Sequence, residues 1–551
     1  MYQYDSYDRQ ILQERVAQFR NQTQRYLNGE LSDAEFLPLR LQNGLYIQRL
    51  APMLRIAVPY GLYNSTQLRR IAAITRDYDK GYAHVSTRQN FQINWPRLED
   101  VPDILAELAD VDMHAIQTSG NCIRNTTTDE YAGVAQDEVE DPRPWCELIR
   151  QWSTFHPEFA ALPRKFKIAV CATADDRAAF KFHDIGVELV HDEEGHTRFN
   201  IYAGGGLGRT PVIGQLIKSQ LHWKHLLTYL EATLRVYNLR GRRDNKYKAR
   251  IKILVKAMGV EAFAEAVEQE WQFTKTSKNI ISDSAIAHVR KFFTPPAYET
   301  LDDSSCNREL ANQRMEEPAF ALWLDKNVRA HKQAGYSIVN LSLKPTGTAP
   351  GDITDYQMDR VADLADRFCG GELRNTHKQN IVLADVRKSD LFELWQELSD
   401  LDLATPNLGH LTDAICCPGG DYCALANAKS IPVAEAIQKK FDDIDYLYDL
   451  GPIDLNISGC MNACGHHHIG HIGILGVDKK GEEFYQVSLG GDMGRDAAIA
   501  KILGPSFSAD QVPDIIQLVL DTYLENRIEG ERFIETYHRI GHQPFKERAY
   551  A

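Results

Sequence analysis

Apolar and polar positions change period repeatedly along this chain. The opening stretch QILQERVAQFRNQTQRYL spaces its apolar residues at three and four, which predicts helices over residues 1–45 leading into the body. Short apolar stretches (MLRIAVPYG, AHVSTRQNFQINW) then interleave with helical ones (STQLRRIAAITRDYD, LEDVPDILAELADV). The resulting order, βαββα, predicts an α+β unit.

That unit occurs twice. Residues 82–113 and 372–403 each run strand, RQN or KQN, strand, acidic loop and amphipathic helix, ending in DVD or DLD. Downstream, YAGGGLGRTPVIGQLI (202–217) parallels VSLGGDMGRDAAIAKIL (487–503) in its glycines, Gly-Arg pair and following apolar run. Nearly equal lengths of chain separate Arg88 from Arg209 and Lys378 from Arg495. A duplicated module accounts for this, with FTPPAYETLDDSSCNRELANQRMEEPAF (293–320) as the linker.

The 551 residues, 43% apolar and 25% charged, have the composition of an ordinary globular protein of several domains. No stretch approaches the ~18 apolar residues that span a bilayer, and the start MYQYDSYDRQ has no apolar core of a signal peptide. The expectation is a cytoplasmic protein with no membrane contact. A net charge of −14 argues against nucleic acid, and the basic run RGRRDNKYKAR (240–250) reads as a solvated face.

Five of the ten cysteines fall together, in ICCPGGDYC (415–423) and GCMNACGHHH (459–468). Cys417, Cys423, Cys460 and Cys464 read as C-x5-C followed by C-x3-C, a four-thiolate set suited to zinc or an iron–sulfur cluster. Structural zinc favours C-x2-C knuckles, so these longer spacings suit a larger object. Cys416 is out of register and is expected to be packing, as are the scattered Cys122, Cys146, Cys171, Cys306 and Cys369. His466, His467, His468 and His471 are read as an exposed or pocket-lining loop, with direct metal ligation the alternative.

The cysteine arrangement, GCMNACGHH, PRKFK, RQNFQ and the duplication together resemble the siroheme-dependent sulfite and nitrite reductases, closest to their assimilatory sulfite-reducing hemoproteins, over about residues 40 to 530. The resemblance implies a pseudo-twofold α+β fold of two ferredoxin-like half-domains and two siroheme/iron–sulfur domains. The chain then divides into a helical segment (1–45), a first ferredoxin-like half (46–117), a first siroheme/substrate domain (118–292), a linker (293–329), a second half (330–405) and a siroheme/iron–sulfur domain (406–551). It implies one 4Fe-4S cluster on Cys417, Cys423, Cys460 and Cys464, with Cys464 bridging to the siroheme iron. Arg55, Arg124, Lys165 and Lys167 would hold the anionic substrate. Arg88, Gln92 and Arg209, and more loosely Lys378, Gln379 and Asn380, would meet the siroheme carboxylates.

The chemistry fits those residue types. Each oxygen lost from sulfite or nitrite needs protons and stabilisation of negative charge; arginine supplies fixed charge, and lysine can also give a proton. Strand alternation would put Lys165 and Lys167 on one face. No G-x-G-x-x-G sits between strand and helix, so electrons must come from a separate flavoprotein subunit or ferredoxin. Two positions depart from the family pattern. His84 stands where an arginine is expected, and Ser119 stands where some relatives carry their part of a covalent Tyr–Cys link, so no such link is expected. Reduction of sulfite to sulfide is the leading expectation and nitrite to ammonia the alternative; a non-catalytic iron–sulfur or zinc scaffold is the alternative from another class.

Overall fold

The computed structural model describes all 551 residues, and no helix in it is long and apolar enough to cross a membrane. Four sheets divide into two matched pairs. The first sheet orders its strands Leu45–Ile47, Pro52–Ile56, Phe91–Ile93, Tyr82–Val85 and Asp352–Thr354; the second orders Val328–Ala330, Tyr336–Leu341, Ile381–Arg387, Glu372–Asn375 and Leu62–Asn64. Each therefore takes its last strand from the other half of the chain: Asp352–Thr354 pairs antiparallel with Tyr82–Val85, and Leu62–Asn64 with Glu372–Asn375.

This reciprocal exchange makes the two ferredoxin-like halves one body. Apolar residues of both, among them Leu54, Phe91, Ile71, Val339, Leu383 and Val361, share one core. The boundary between residues 46–117 and 330–405 is consequently not a division between separate cores. The linker expectation also needs correction. Residues 303–316 and 318–327 are helical, and Phe320 and Trp323 are fully buried in the shared core. These helices mirror Ser6–Leu27 and Asp33–Gln42, which place Phe19 and Phe36 in the same core.

Local detail repeats with the fold. Helices Ser65–Tyr78 and Asp355–Phe368 each begin with a capping box, Asn64 with Gln67 and Thr354 with Gln357, satisfying N-terminal amides that would otherwise lack partners. Left-handed backbone at non-glycine residues is rare, yet it falls at matched positions: Gln89 (φ 58°) and Gln379 (φ 64°), Asp112 (φ 58°) and Asp402 (φ 57°), Ala179 (φ 49°) and His466 (φ 57°). Backbone geometry thus carries the duplication where side chains have diverged.

The other two sheets are mixed. In one, Ile168–Cys171 pairs parallel with Ile185–His191, followed by antiparallel Thr197–Ala203 and Gln215–His222. In the other, Ile415–Cys416, Leu455–Ser458 and Ile472–Lys479 run parallel, and Glu482–Leu489 and Lys501–Ile502 then join antiparallel. Each has its own core.

One buried carboxyl makes the first of these domains sensitive to pH. Asp176 Oδ1 accepts the amides of Ala178 and Phe180, both at 3.1 Å, while Oδ2 is buried without a partner. Burial lifts this carboxyl from 3.8 to about 7 despite those bonds. A raised folded-state value means the stability present below the unfolded value is lost as pH climbs from about 4 to about 7, by at most about 4 kcal/mol. Asp176→Asn keeps the Oδ1 acceptor without the charge. Its melting temperature is expected to exceed the parent's at pH 8 and to match it near pH 4; an equal offset at both would remove the carboxyl as the cause.

Candidate functional site

The site is built on the face of the first sheet opposite its core. Strand pairing sets Leu45 against Leu54 in the core, so Tyr46 and Arg55 emerge on the other side, where Arg55 lies opposite Gln92 and Gln92 opposite His84. The Arg55 guanidinium donates to Gln92 Oε1 at 3.0 Å and to the Thr118 carbonyl at 3.4 Å. His84 is spent within the protein: Nδ1 meets Asp352 at 2.7 Å and Nε2 meets Gln379 at 3.0 Å.

The turn Ser86–Asn90, closed by Ser86 N–H to Asn90 O at 2.9 Å, projects Arg88. Arg88 donates to Thr127 Oγ1 at 3.0 Å and to His183 Nε2. His183 Nδ1 donates to the Ala179 carbonyl at 2.7 Å, which fixes the tautomer and leaves Nε2 as acceptor. Thr87 in the same turn donates to the Cys464 carbonyl at 2.8 Å, tying the first copy to the cysteine loop of the second.

Arg124, Lys165 and Lys167 come from neighbouring extended segments. A parallel bridge joins Ile123 to Phe166, and Arg124 N–H donates to Phe166 O at 2.7 Å. The Arg124 guanidinium is braced by the carbonyls of Thr118 (2.8 Å) and Gly120 (2.7 Å). Lys165 and Lys167 flank the fully buried Phe166 just ahead of strand Ile168–Cys171, so they share the face expected of them although the regular strand begins only at Ile168.

Positive charge outnumbers carboxylate here: Asp184 pairs with Arg250, and the other cations have no carboxylate bonded to them. Burial, then repulsion from Arg124, disfavours the charge on Arg88, and Asp184 works against both. Burial also lowers Lys165 to about 8, where repulsion from Arg124 and Arg250 adds to it and Cys464 works against it. Lys167 falls well below the usual lysine value through burial, then Lys165, Arg88 and Arg250. Such a cluster is costly unless an anion occupies it.

Two cations here were not anticipated. Arg250, at the end of the run read as a solvated face, is mostly buried and pairs with the fully buried Asp184 at 2.7 Å; Asp184 also accepts Lys167 N–H at 2.9 Å. Lys252 is buried and donates to the carbonyls of Gly206 (3.2 Å) and Leu207 (2.7 Å), holding the glycine loop. No local period marks these two: Arg250 precedes helix Ile251–Met258 and Lys252 lies in its first turn, buried with Ile251. Arg209, by contrast, is exposed, donating to Met461 Sδ at 3.2 Å with its guanidinium 5.3 Å from the Tyr247 ring centroid.

The second copy handles the equivalent positions differently. Asp454 precedes strand Leu455–Ser458 as Lys167 precedes Ile168–Cys171, and it pairs with Lys378 at 2.8 Å. Lys378 is raised because Asp454 and Asp413 outweigh its burial. Gln379 accepts Cys416 N–H at 2.8 Å and donates to Cys416 O at 2.9 Å; Asn380 accepts Leu343 N–H at 3.1 Å and donates to Asp413 at 3.0 Å. Gln379 and Asn380 are buried with both ends of their amides in use, so they brace the fold here. The surplus charge belongs to the first copy alone.

Beside it lie the cysteines. Gly459 N–H donates to Cys417 Sγ at 3.2 Å and Asn462 Nδ2 to Cys460 Sγ at 3.5 Å, contacts of the kind that stabilise thiolate ligands. Cys464 acts electrostatically on Cys417, Cys423 and Cys460 as well as on Lys165 and Lys167. A Cβ on Gly459 would lie 2.6 Å from the Gly419 Cα, so only glycine lets the two cysteine loops meet. No three His, Cys, Asp or Glu side chains form a single-ion site; a cluster with sulfide between its irons holds its thiolates further apart. Cys416 points into the core, its Sγ donating to Cys417 O at 3.3 Å. Burial holds His466 and His467 well below the usual histidine value, and both ring nitrogens of His467 lack partners. His468 meets the Gly208 carbonyl at 3.0 Å, and His471 Nδ1 accepts Asp454 N–H at 3.1 Å.

Comparison with known proteins gives this arrangement its context. The nitrite and sulphite reductase 4Fe-4S domain matches residues 119–275 and 410–550, and the nitrite/sulfite reductase ferredoxin-like half domain matches 48–111 and 331–401. A sulfite reductase [ferredoxin] 1 of Mycolicibacterium paratuberculosis is 27% identical over 493 residues, covering 87% of this chain and 81% of its own length. A chloroplastic ferredoxin–nitrite reductase of Arabidopsis thaliana is 28% identical over 512 residues, covering 90% and 80%. The structure of the Mycobacterium tuberculosis NirA protein superposes with a TM-score of 0.76 at 25% identity, over 94% of this chain and 92% of that one. Surplus cations suit the carboxylates of siroheme, and thiols that receive N–H donors, Cys417 from Gly459 and Cys460 from Asn462, suit a cluster. The chain belongs to the nitrite and sulphite reductase family, as an oxidoreductase that uses siroheme and a 4Fe-4S cluster.

Proposed function

We propose that this chain reduces sulfite to sulfide in assimilation, taking six electrons from a ferredoxin. The observation that carries the reading is the unneutralised group of Arg55, Arg124, Lys165 and Lys167 beside Cys464. Bound siroheme and cluster supply the electron path and the iron that receives the substrate. Cys417, Cys423, Cys460 and Cys464 would hold the cluster, Cys464 also serving the siroheme. Arg88, Gln92, Arg209 and Arg250 would serve the siroheme carboxylates, while Lys252, Gln379 and Asn380 keep the adjoining backbone in place.

Arg55 and Arg124 are suited to orienting an oxyanion. Their guanidiniums are anchored on carbonyls and on Gln92, so little reorganisation is needed when charge develops on a departing oxygen. Lys165 and Lys167, repelled by their neighbours, are suited to releasing protons to that oxygen. A ferredoxin donor is supported by the sulfite reductase relatives, whose names specify it.

Nitrite is the second reading, favoured by the plant relative of equal similarity. The measurement that separates them is kcat/KM for sulfite and for nitrite with one artificial reductant. Sulfite is expected to be preferred; a nitrite preference above about tenfold, roughly 1.4 kcal/mol of transition-state discrimination, would reverse the assignment.

A further inference from the structure

We propose that His84, held by Asp352, is a positioning residue for the iron–sulfur cluster: through Gln379 it fixes the backbone at Cys416 and with it the thiol of Cys417. The proposal rests on the reading of Cys417 as a cluster ligand.

Both copies of the module contain the same clasp. In the first, Gln89 Nε2 donates to the carbonyls of Thr128 (3.0 Å) and Asn375 (3.1 Å), and Gln89 Oε1 accepts the Thr128 amide at 3.3 Å. In the second, Gln379 Nε2 donates to the carbonyls of Cys416 (2.9 Å) and Val85 (3.1 Å), and Gln379 Oε1 accepts the Cys416 amide at 2.8 Å. Each glutamine also faces a glycine of positive φ, Gly61 or Gly351, where a Cβ would lie 2.9 or 3.1 Å from the amide nitrogen. Each clasp therefore grips one residue by both backbone groups, Thr128 beside Asp129 and Cys416 beside Cys417.

The neighbour of the gripped residue differs between the copies. Asp129 pairs with Arg177 at 2.6 Å. Arg177 and Cys464 each lie nine residues beyond the first residue of their strand, Ile168 or Leu455, so this ion pair takes the places that Cys417 and Cys464 take in the second copy. An ion pair fixes its own geometry, whereas ligating thiols depend on the groups that orient them.

His84 is present on the cysteine side alone. His84 and Arg374 lie five residues before the two glutamines, each third in its strand, Tyr82–Val85 or Glu372–Asn375. Arg374 turns away from Gln89, to Glu372 at 2.8 Å and the Glu130 carbonyl at 3.1 Å. His84 turns toward Gln379. Its Nδ1–H goes to Asp352, opposite it on the exchanged strand, at 2.7 Å, so Nε2 keeps its lone pair and accepts from Gln379 Nε2 at 3.0 Å. Two amide hydrogens now face three acceptors, and a flipped amide would turn Oε1 toward all three and release the Cys416 N–H. His84, Gln379 and Cys416 are all buried, so bulk water does not replace a lost contact.

The test uses the cofactor-loaded enzyme. His84→Leu is expected to release iron to a ferrous chelator about tenfold faster than the parent, the low end for a partner outside the ligand set. The electron paramagnetic resonance spectrum of its reduced cluster should change while siroheme absorbance does not. His84→Gln, whose amide can donate to Asp352 and accept from Gln379, should restore both. Where His84→Leu fails to load cofactor, Asp352→Asn serves: it keeps the shape, loosens the hold on Nδ1 and should show the same changes more weakly. Parental iron release and spectrum in these variants, or changes that His84→Gln does not restore, would overturn the proposal. Cys417→Ser separates the two levels. If it keeps its iron, the reading of the ligand set fails; if it loses iron while the His84 and Asp352 variants behave as the parent, the role of His84 fails.

Discussion

Cys417→Ser is expected to lose iron, acid-labile sulfide and essentially all turnover, while Cys416→Ser, one residue away, keeps all three. The contrast follows from where the two side chains point. Cys416 ends the short strand Ile415–Cys416 and is 1% exposed among apolar neighbours including Leu411, Ile457 and Ile474. A serine there can still donate to the Cys417 carbonyl, so the cost is the burial of a more polar group, about 1 kcal/mol. Cys417 turns the other way, where it receives the Gly459 amide and lies within electrostatic reach of Cys464. Burial and Cys464 push the Cys417 thiol up to about 12, so iron must displace its proton, and a serine hydroxyl is a far poorer ligand for iron in a sulfur-rich cluster. Iron and sulfide analysis of the purified variants, read beside the visible spectrum, checks this. Loss of iron from Cys416→Ser with retention in Cys417→Ser would mean the ligand register is displaced by one.

Much of this architecture was legible because the duplication leaves a double imprint. RQN and KQN, DVD and DLD mark the same turns, and in the structure Gln89 and Gln379, Asp112 and Asp402 share left-handed backbone. The strand exchange left no such trace. Leu62–Asn64 is three residues long, and its partner Glu372–Asn375 is remote in sequence, so no local period announces the pairing. The helices inside the linker were hidden by charge: NRELANQRMEEPAF reads as polar spacer until Phe320 and Trp323 are seen in the core.

The site shows the same division. Cysteine spacing is local and can be read from the sequence, whereas the value of a cation depends on what lies opposite it. Arg250 looked like the end of an exposed basic run and Lys252 drew no reading, but Asp184 and the glycine-loop carbonyls hold them in place. Lys378 looked equivalent to Arg88, yet Asp454 neutralises it.

Lys167→Met is expected to reduce sulfite turnover by about two to three orders of magnitude with siroheme absorbance and iron content intact, and Lys167→Arg to lower kcat nearly as far while leaving KM close to the parent value. The pair separates two jobs that one ammonium could do. If Lys167 only attracts the anion, arginine keeps the charge and should preserve much of kcat. If Lys167 delivers a proton, arginine fails, because a guanidinium does not release one at accessible pH. The structure favours proton delivery: burial, Lys165, Arg88 and Arg250 all disfavour the charged form, and only Cys464 supports it. An arriving dianion offsets that repulsion, restores the ammonium and leaves it facing an oxygen that gains basicity as its bond to sulfur breaks. Lys165, held at about 8, is expected to share the work, so Lys165→Met should fall less steeply than Lys167→Met and the double variant should fall by less than the product of the two. Steady-state kcat and KM measured with one reductant test all four proteins, and full turnover in Lys167→Arg would assign Lys167 to anion binding alone.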